Sequence, residues 1–442
     1  MRSALEVLEE FNSEVWKGEH PPLVLGWSDD QLAPVVGVLA GVIPDHLPGK
    51  AEGSMTSEMR LAIAAVARSV VVGFRLTGQA VRYSRRKEHY RGPKRYRRTE
   101  RFYTWYFVTH AIDVLDAAGL VVCTGGVWFP GGGGRQSVAR PAGELLGLLE
   151  PVIDVRERRW EQQRSETIVL RDRKDKTDLD YEETSETTRM RVQVEALNEA
   201  LFQLDLYRHG KRFAIPVVRR IFNGDFDRGG RLYCFGSSFQ NIPSEERLDL
   251  ELLIGGVLHP MVEFDYGNLH AVMAYVEAGI ELPPGDLYAI EGFNRSLVKR
   301  AFNILLNAAT RNLAVAAITE ELHVKNFDLW RQCGLTTRRR TECRPLAISV
   351  VEAIENKHQA IKASFGSDCG ASFQRRDSEM AVQVVERVLE KTGRCPLPMH
   401  DSLLVADLDG EVLHQVMHAV ASEHALPLAI CQKSPQPDYS NR

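Results

Sequence analysis

The stretch Met261-Val262-Glu263-Phe264-Asp265-Tyr266-Gly267-Asn268-Leu269-His270-Ala271-Val272-Met273-Ala274-Tyr275 decides how the rest of the chain is read. It opens as a short apolar strand, reaches a carboxylate at Asp265, and continues with Leu269, Val272, Met273 and Val276 at helical spacing. An acid at the end of a buried strand, just before a helix, is held rigidly and faces a cleft, which suits a metal ligand. The same junction is commonly made by an Asp that caps the helix. A second carboxylate and a phosphate-binding surface would decide between the two.

Three further stretches bear on that choice. The first is Asp227-Arg228-Gly229-Gly230-Arg231-Leu232-Tyr233, followed by Phe239-Gln240-Asn241-Ile242-Pro243. Its glycines let the backbone turn sharply and set Arg231 on a strand near a phosphate group, while Gln240 and Asn241 offer donors and acceptors to base or sugar edges. The second runs from Arg295 to Ala309, where Arg295, Lys299, Asn303 and Asn307 form one polar stripe on an otherwise apolar helix. Two cations and two amides on one face can hold a triphosphate and probe a sugar or base. The third, Pro396-Leu397-Pro398-Met399-His400-Asp401-Ser402-Leu403-Leu404-Val405, reads as strand, tight turn, strand, with Asp401 at the tip. Two strand-end carboxylates can share two divalent cations about 3.5–4 Å apart.

These stretches, in this order, resemble the motifs of the family-A DNA polymerases and the phage-type single-subunit RNA polymerases, over residues 210–430. Gly230-Arg231-Leu232 through Pro243 is similar to the segment before motif A, Asp265-Tyr266 to motif A, Arg295-x-x-x-Lys299 to motif B and His400-Asp401 to motif C. Asp286-Leu287-Tyr288 resembles a short segment these enzymes carry between A and B, and Gln374, Asp377 and Ser378 a helix before C. The resemblance implies that Asp265 and Asp401, with the Tyr266 carbonyl, hold Mg2+ or Mn2+. It further implies that Arg295 and Lys299 bind the incoming nucleoside triphosphate and that Lys299 aids proton transfer to pyrophosphate. Arg231 would contact the primer-terminal or incoming nucleotide, and His400 the primer end.

Departures from the pattern leave the sugar open. His270 stands where DNA-making relatives have a ribose-excluding Glu, Asn307 where a Tyr is usual, and Asn303 where an aromatic is common. Only 136 residues (401 − 265) separate the two acids, which suggests small fingers. Nothing in the N-terminal half resembles a proofreading exonuclease.

That N-terminal half carries its own signal. Between Arg82 and Arg101 lie ten Lys or Arg, among them Arg85, Arg86, Arg91, Lys94, Arg95, Arg97 and Arg98, against Glu88 and Glu100. Tyr83, Tyr90 and Tyr96 are interleaved, so phosphate contacts and base stacking are both available. A solvated basic loop beside a core helix is the plainer alternative. A core helix is expected over Thr56–Val72 and another over Phe102–Ala118, stopped by Gly119. Leu120–Thr124 and Val127–Phe129 read as a hairpin, followed by the loop Gly131–Arg135, a strand at Ser137–Arg140 and a helix at Gly143–Leu149. This order resembles a winged-helix module. The glycine run is no Walker loop, because no Gly-Lys-Ser/Thr follows.

With 442 residues, 44% hydrophobic and 26% charged, the chain should form two or three domains with their own cores. No apolar run reaches transmembrane length, and Met1-Arg2-Ser3-Ala4-Leu5-Glu6 lacks a signal-peptide core, so a cytoplasmic protein without a membrane partner is expected. Seven cysteines without a Cys-x-x-Cys pair, with Cys333, Cys343 and Cys369 too widely spaced for zinc, point to reduced thiols.

The reading is an α+β chain: a right-hand polymerase palm with helical fingers at 210–442, a charged helical linker at 151–209, and a mostly helical, winged-helix-like nucleic-acid-binding region at 1–150. It is expected to be a template-directed nucleotidyltransferase acting on a DNA template-primer, or RNA. The alternatives are a non-catalytic nucleic-acid-binding initiator or regulator that keeps the fold, and a template-independent terminal transferase.

Overall fold

The structure, a computed structural model, describes residues 23, 25–43, 55–91, 94–96, 100–128, 134–153, 166–213, 215–234, 238–244, 246–337 and 339–433. In the N-terminal half, helix α1 (Asp29–Leu39) packs on α2 (Ser57–Thr77), which Thr56 starts by accepting a hydrogen bond from Met59 N. Ala62 to Ala67 and Val70 to Val72 are all buried, so this helix is covered on every side and forms the centre of the unit. Strand β1 (Val81–Tyr83) leads to α3 (Trp105–Ala117), β2 (Val121–Thr124), β3 (Ser137–Pro141) and α4 (Gly143–Leu149). The three strands form an antiparallel sheet with β3 in the middle.

The expected pairing of 120–124 with 127–129 does not occur. Val127–Trp128 pairs with Gly134–Arg135 and β2 with β3, so both segments belong to the same arm of one long hairpin. Gly126 N donates to Ser137 Oγ (3.0 Å), which carries the first arm outward instead of reversing it. Gly131 to Gly133 lie outside the described residues.

The stretch read as a charged helical linker is partly sheet. Strand β4 (Ile168–Arg171) pairs antiparallel with β5 (Asp178–Leu179), and α5 (Ser185–Phe202) follows, started by Thr184. Strand β6 (Leu206–Arg208) precedes β7 (Val218–Asn223) and β8 (Asp225–Cys234), and β7 lies parallel to β4 and antiparallel to β8.

A second sheet carries the stretch quoted first. Strands β9 (Leu250–Ile254) and β10 (Val257–Tyr266) form a hairpin, and α6 (Leu269–Glu277) follows at once. Helices α7 (Arg295–Asn307), α8 (Arg311–Glu320), α9 (Phe327–Gln332), α10 (Arg340–Lys357) and α11 (Gly370–Thr392) come next. The hairpin β11 (Leu397–Met399) and β12 (Ser402–Ala406), then α12 (Gly410–Glu423) and β13 (Ile430–Lys433), follow. The sheet runs β11-β12-β10-β9-β6, and β13 borders the C-terminal half of β10.

The sheet of β4, β5, β7 and β8, the sheet that carries β10, and helices α5 to α12 share one core that includes Phe222, Phe239, Phe302 and Phe373, each nearly fully buried. Burying one such side chain contributes about 1.5–3 kcal/mol. The architecture is mixed helix and sheet, and among the described residues no helix is long and apolar enough to cross a membrane.

Candidate active site

Strand β10 pairs with β12 on one side and β13 on the other, so Asp265 lies opposite both Ser402 and Cys431. Asp401 immediately precedes Ser402, in the two-residue turn that closes the β11–β12 hairpin. Its neighbour His400 takes a left-handed backbone (φ 73°), which tightens the turn. The two acids stand close enough for their charges to interact: burial, and after it the Asp401 charge, pushes the Asp265 carboxyl up to about 6, against the pull of Lys433 and Lys299. Among the described residues, Asp265 Oδ1 is buried without a hydrogen-bond partner, and so is His400 Nδ1. The helix cap is Asn268 (φ 57°), so Asp265 is a strand residue and not the N-cap.

Glu263, two residues earlier on the same strand face, is also buried. It accepts from Arg247 Nε and Nη2 (both 2.9 Å), from Ser402 Oγ (2.6 Å) and from Lys433. Burial opposes its charge, but these donors hold its carboxyl below the usual value. Glu263, Arg247 and Lys433 were not among the expected site residues. The i, i+2 spacing of Glu263 and Asp265 marked one of them, whereas Lys433 follows no motif.

Beside this pair lies a second buried network. Arg231 Nε is 3.0 and 3.1 Å from the two oxygens of Asp377 on α11, and His270 Nε2 is 2.7 Å from Asp377 Oδ2. Arg231 Nη2 is also 3.3 Å from His270 Nε2, so both sequence-selected residues converge on one carboxylate. Helix α11 approaches β8 this closely because Gly229 and Gly230 (φ 82° and 81°) form a bulge: a Cβ on Gly230 would stand 2.7 Å from Phe222 Cε1 and 3.0 Å from Ser378 Oγ. Under the bulge, fully buried Arg220 donates to Gly230 O (2.9 Å), Ser378 Oγ (2.9 Å) and Glu379 (2.8 Å).

Gln240 does not present its amide outward, whereas Asn241 is exposed. Gln240 accepts from Cys234 N (2.8 Å) and donates to Leu232 O (3.0 Å) and Pro398 O (2.8 Å), which ties β8 to β11. Asn241 Oδ1 accepts from Ser238 N (2.9 Å) in a capping box. Gln240 thus closes local structure with its whole amide, and Asn241 with its oxygen alone. Tyr266 is likewise engaged, its hydroxyl donating to Met417 O (2.8 Å), which leaves its carbonyl as the group read toward a metal.

The polar stripe on α7 is a real face. Arg295, Lys299 and Asn307 are exposed and Asn303 is half-buried, while Leu297, Val298, Ala301, Phe302, Leu305 and Leu306 are buried. Arg295 pairs with Asp286 and lies over the Tyr288 ring at 5.7 Å. Lys299 makes no ion pair or hydrogen bond among the described residues, yet its charge reaches Asp265. Asn307 donates to Asn303 O (2.8 Å) and packs so tightly on Gly370 that a Cβ there would lie 2.4 Å from Asn307 Oδ1. His400 sits with its ring 4.8 Å from that of Tyr233, and burial, then Arg231, lowers its pKa.

The basic stretch departs most from expectation. Arg95 binds Asp180 (2.9 Å), Glu183 (3.0 Å) and Tyr181 O (2.7 Å), and lies 4.0 Å above the Tyr181 ring. Tyr96 donates to Leu179 O and accepts from Leu170 N (3.0 Å), so this part of the stretch docks onto the β4–β5 region. Glu183, hydrogen-bonded first by Arg191 and then by Thr187 and Arg95, is held down to about 2. Arg85 pairs with Asp113 (2.7 Å), and Tyr83 is buried. Arg86 and Arg91 are exposed; Arg97 and Arg98 lie outside the described residues, as does the side chain of Lys94.

No protein-family model matches the chain, and no curated protein matches it. Among solved structures the chain is similar to the POL domain of Pol1 from M. smegmatis, in complex with DNA primer-template and dNTP. The identity is 15%, the match covers 56% of this chain and 51% of that chain, and the TM-score is 0.27. The chain thus spans about half the length of that solved structure.

Proposed function

We propose that the chain is a template-directed nucleotidyltransferase that extends a 3′ end, with Asp265 and Asp401 as the acids that hold its divalent cations. The observation that carries this reading is their placement at one end of a sheet, with Asp265 Oδ1 buried and without a hydrogen-bond partner among the described residues. Carboxylate oxygens suit Mg2+ or Mn2+, and a cation between them would offset the burial and, after it, the Asp401 charge that together raise the Asp265 carboxyl. When bound, such ions supply Lewis-acid activation of the attacking 3′-hydroxyl and of the leaving pyrophosphate.

The chain's own residues would do the rest. Lys299, exposed and without a partner among the described residues, would neutralise the triphosphate and stand ready to donate a proton to pyrophosphate. Arg295 would act after exchanging Asp286 for phosphate, and the stripe's amides would face the nucleotide. Arg231 and His270, both fixed by Asp377, would form a rigid wall rather than a mobile gate. The N-terminal unit we read as a winged-helix-like nucleic-acid module, with its long hairpin as the wing and Arg86 and Arg91 on its exposed surface.

Primer extension on DNA and RNA templates, with dNTPs and NTPs supplied separately, tests the reading. Template-dependent incorporation in one arm is expected. Extension without a template would make the chain a terminal transferase, and nucleic-acid binding without incorporation would make it a non-catalytic regulator.

A further inference from the structure

A basic surface that the reading above does not use lies on the helical part of the C-terminal half. Residues 331–344 contain Arg331, Arg338, Arg339, Arg340 and Arg344 against one acid, Glu342. Trp330 Nε1 donates to Thr337 O (3.1 Å), which folds the last turn of α9 beside the first turn of α10. The fold thereby gathers Arg331 on α9 with Arg339, Arg340 and Arg344 at the start of α10, and all four are exposed. Arg340 and Arg344 are four residues apart and share one helix face.

The contrast with the N-terminal basic stretch is in the partners. Arg85, Arg95 and Arg101 are each bound to carboxylates. Arg331, Arg339 and Arg344 have no side-chain hydrogen bond or ion pair among the described residues, and Arg340 has only Glu320 at 3.9 Å. The local acid does not neutralise them by contact: Glu342 accepts from Thr337 N (3.0 Å) and lies 3.3 Å from Thr336 Oγ1, closing the loop. Asp328, exposed on α9, and Glu320 are further acids nearby.

Four exposed guanidinium groups, three without a carboxylate partner among the described residues and the fourth with a long one, offer the charge and donor geometry that successive phosphates require. Helix α10 also links this surface to the candidate site. Its other end, Lys357, donates to Asp286 O (2.8 Å) and Ala289 O (2.6 Å), beside the Asp286–Arg295 pair. Eighteen helical residues span about 27 Å, a distance that several nucleotides of a strand would cover.

We propose that Arg331, Arg339, Arg340 and Arg344 form a contact surface for the phosphodiester backbone of the nucleic acid on which the chain acts. The proposal rests on the reading of the chain as a nucleic-acid enzyme. It assigns backbone grip to the α9–α10 junction and not to Arg95.

The test is fluorescence anisotropy of the full chain with a labelled single strand and a labelled blunt duplex, each titrated across salt. Replacing all four arginines with Gln should weaken binding to at least one of the two about tenfold at low salt and reduce the salt slope by about three units. Replacement with Lys should keep most of the slope, and melting curves of both variants would show that the fold persists. Unchanged affinity and slope in the Gln variant would overturn the proposal. So would a loss confined to polyglutamate, which would assign the surface to an acidic protein. Primer extension on the same preparations separates the two claims. Weakened binding without extension in any protein would stand for the surface and against nucleotidyl transfer. Active extension with intact binding would stand against the surface alone.

Discussion

Lys433 Nζ lies 3.6 Å from Asp265 Oδ2 and ion-pairs through the same ammonium with Glu263. A strand from the far end of the chain thus brings a cation to the edge of the candidate metal site. An ammonium and a divalent cation would compete for the Asp265 carboxylate. Lys433→Met should therefore bind Mn2+ severalfold more tightly, measured by the free-ion electron paramagnetic resonance signal. Glu263 keeps Arg247 in that variant, so the strand should stay in place. Weaker Mn2+ binding would mean that Lys433 orients the carboxylate instead of competing for it.

The Asp265 carboxyl also predicts a pH dependence of stability. It holds its proton up to about 6 in the folded chain, against an ordinary value of 3.8. A raised carboxyl stabilises the fold fully below the unfolded value, and this contribution is lost as pH rises through 6. Without divalent cations, Asp265→Asn should be more stable than the native chain above pH 6, by about 1–3 kcal/mol. The two should converge in acid. Thermal melts across pH read this directly, and a variant less stable than the native chain at neutral pH would contradict it.

On α7 the two cations should not behave alike. Lys299→Ala removes a charge with no partner to release, so it should raise the nucleotide concentration needed for incorporation and leave primer-template affinity unchanged. Arg295→Ala should have the smaller effect on nucleotide, because Arg295 already pairs with Asp286. An exposed pair of that kind is worth about 0–1 kcal/mol, so its loss should barely move stability. Steady-state kinetics against nucleotide concentration decide the order, and a collapse of DNA binding in Lys299→Ala would make the stripe a nucleic-acid surface.

Arg95 should act on the fold rather than on nucleic acid. Arg95→Ala leaves Asp180 and Glu183 without one of their donors and should lower stability by about 1–2 kcal/mol. Its DNA affinity and salt slope should match the native chain. A reduced salt slope would return this residue to the nucleic-acid surface.

What could be read in advance follows from the range of the forces involved. The β10–α6 junction, the apolar helix from Thr56 and the Met399–Ser402 turn are local patterns of period and punctuation, and each is found where it was expected. Ile168–Arg171 escaped because three apolar residues lie inside a run of charges, and only pairing with β7 makes them a strand. Arg95 and Tyr96 were misjudged for a related reason. Sequence shows their charge and aromaticity, but their partners Asp180, Glu183 and Leu179 lie more than eighty residues away. Lys433 could be found only from strand register, which no motif encodes.

The central claim is that Asp265 and Asp401 act together as the acids of nucleotidyl transfer. The direct measurement is phosphodiester formation by Asp401→Asn, at saturating Mg2+, on a primer-template that the native chain extends. Because the lost charge acts on the transition state, the rate should fall by about a thousandfold or more while primer-template affinity and melting temperature stay near native values. Extension at close to the native rate would contradict the assignment.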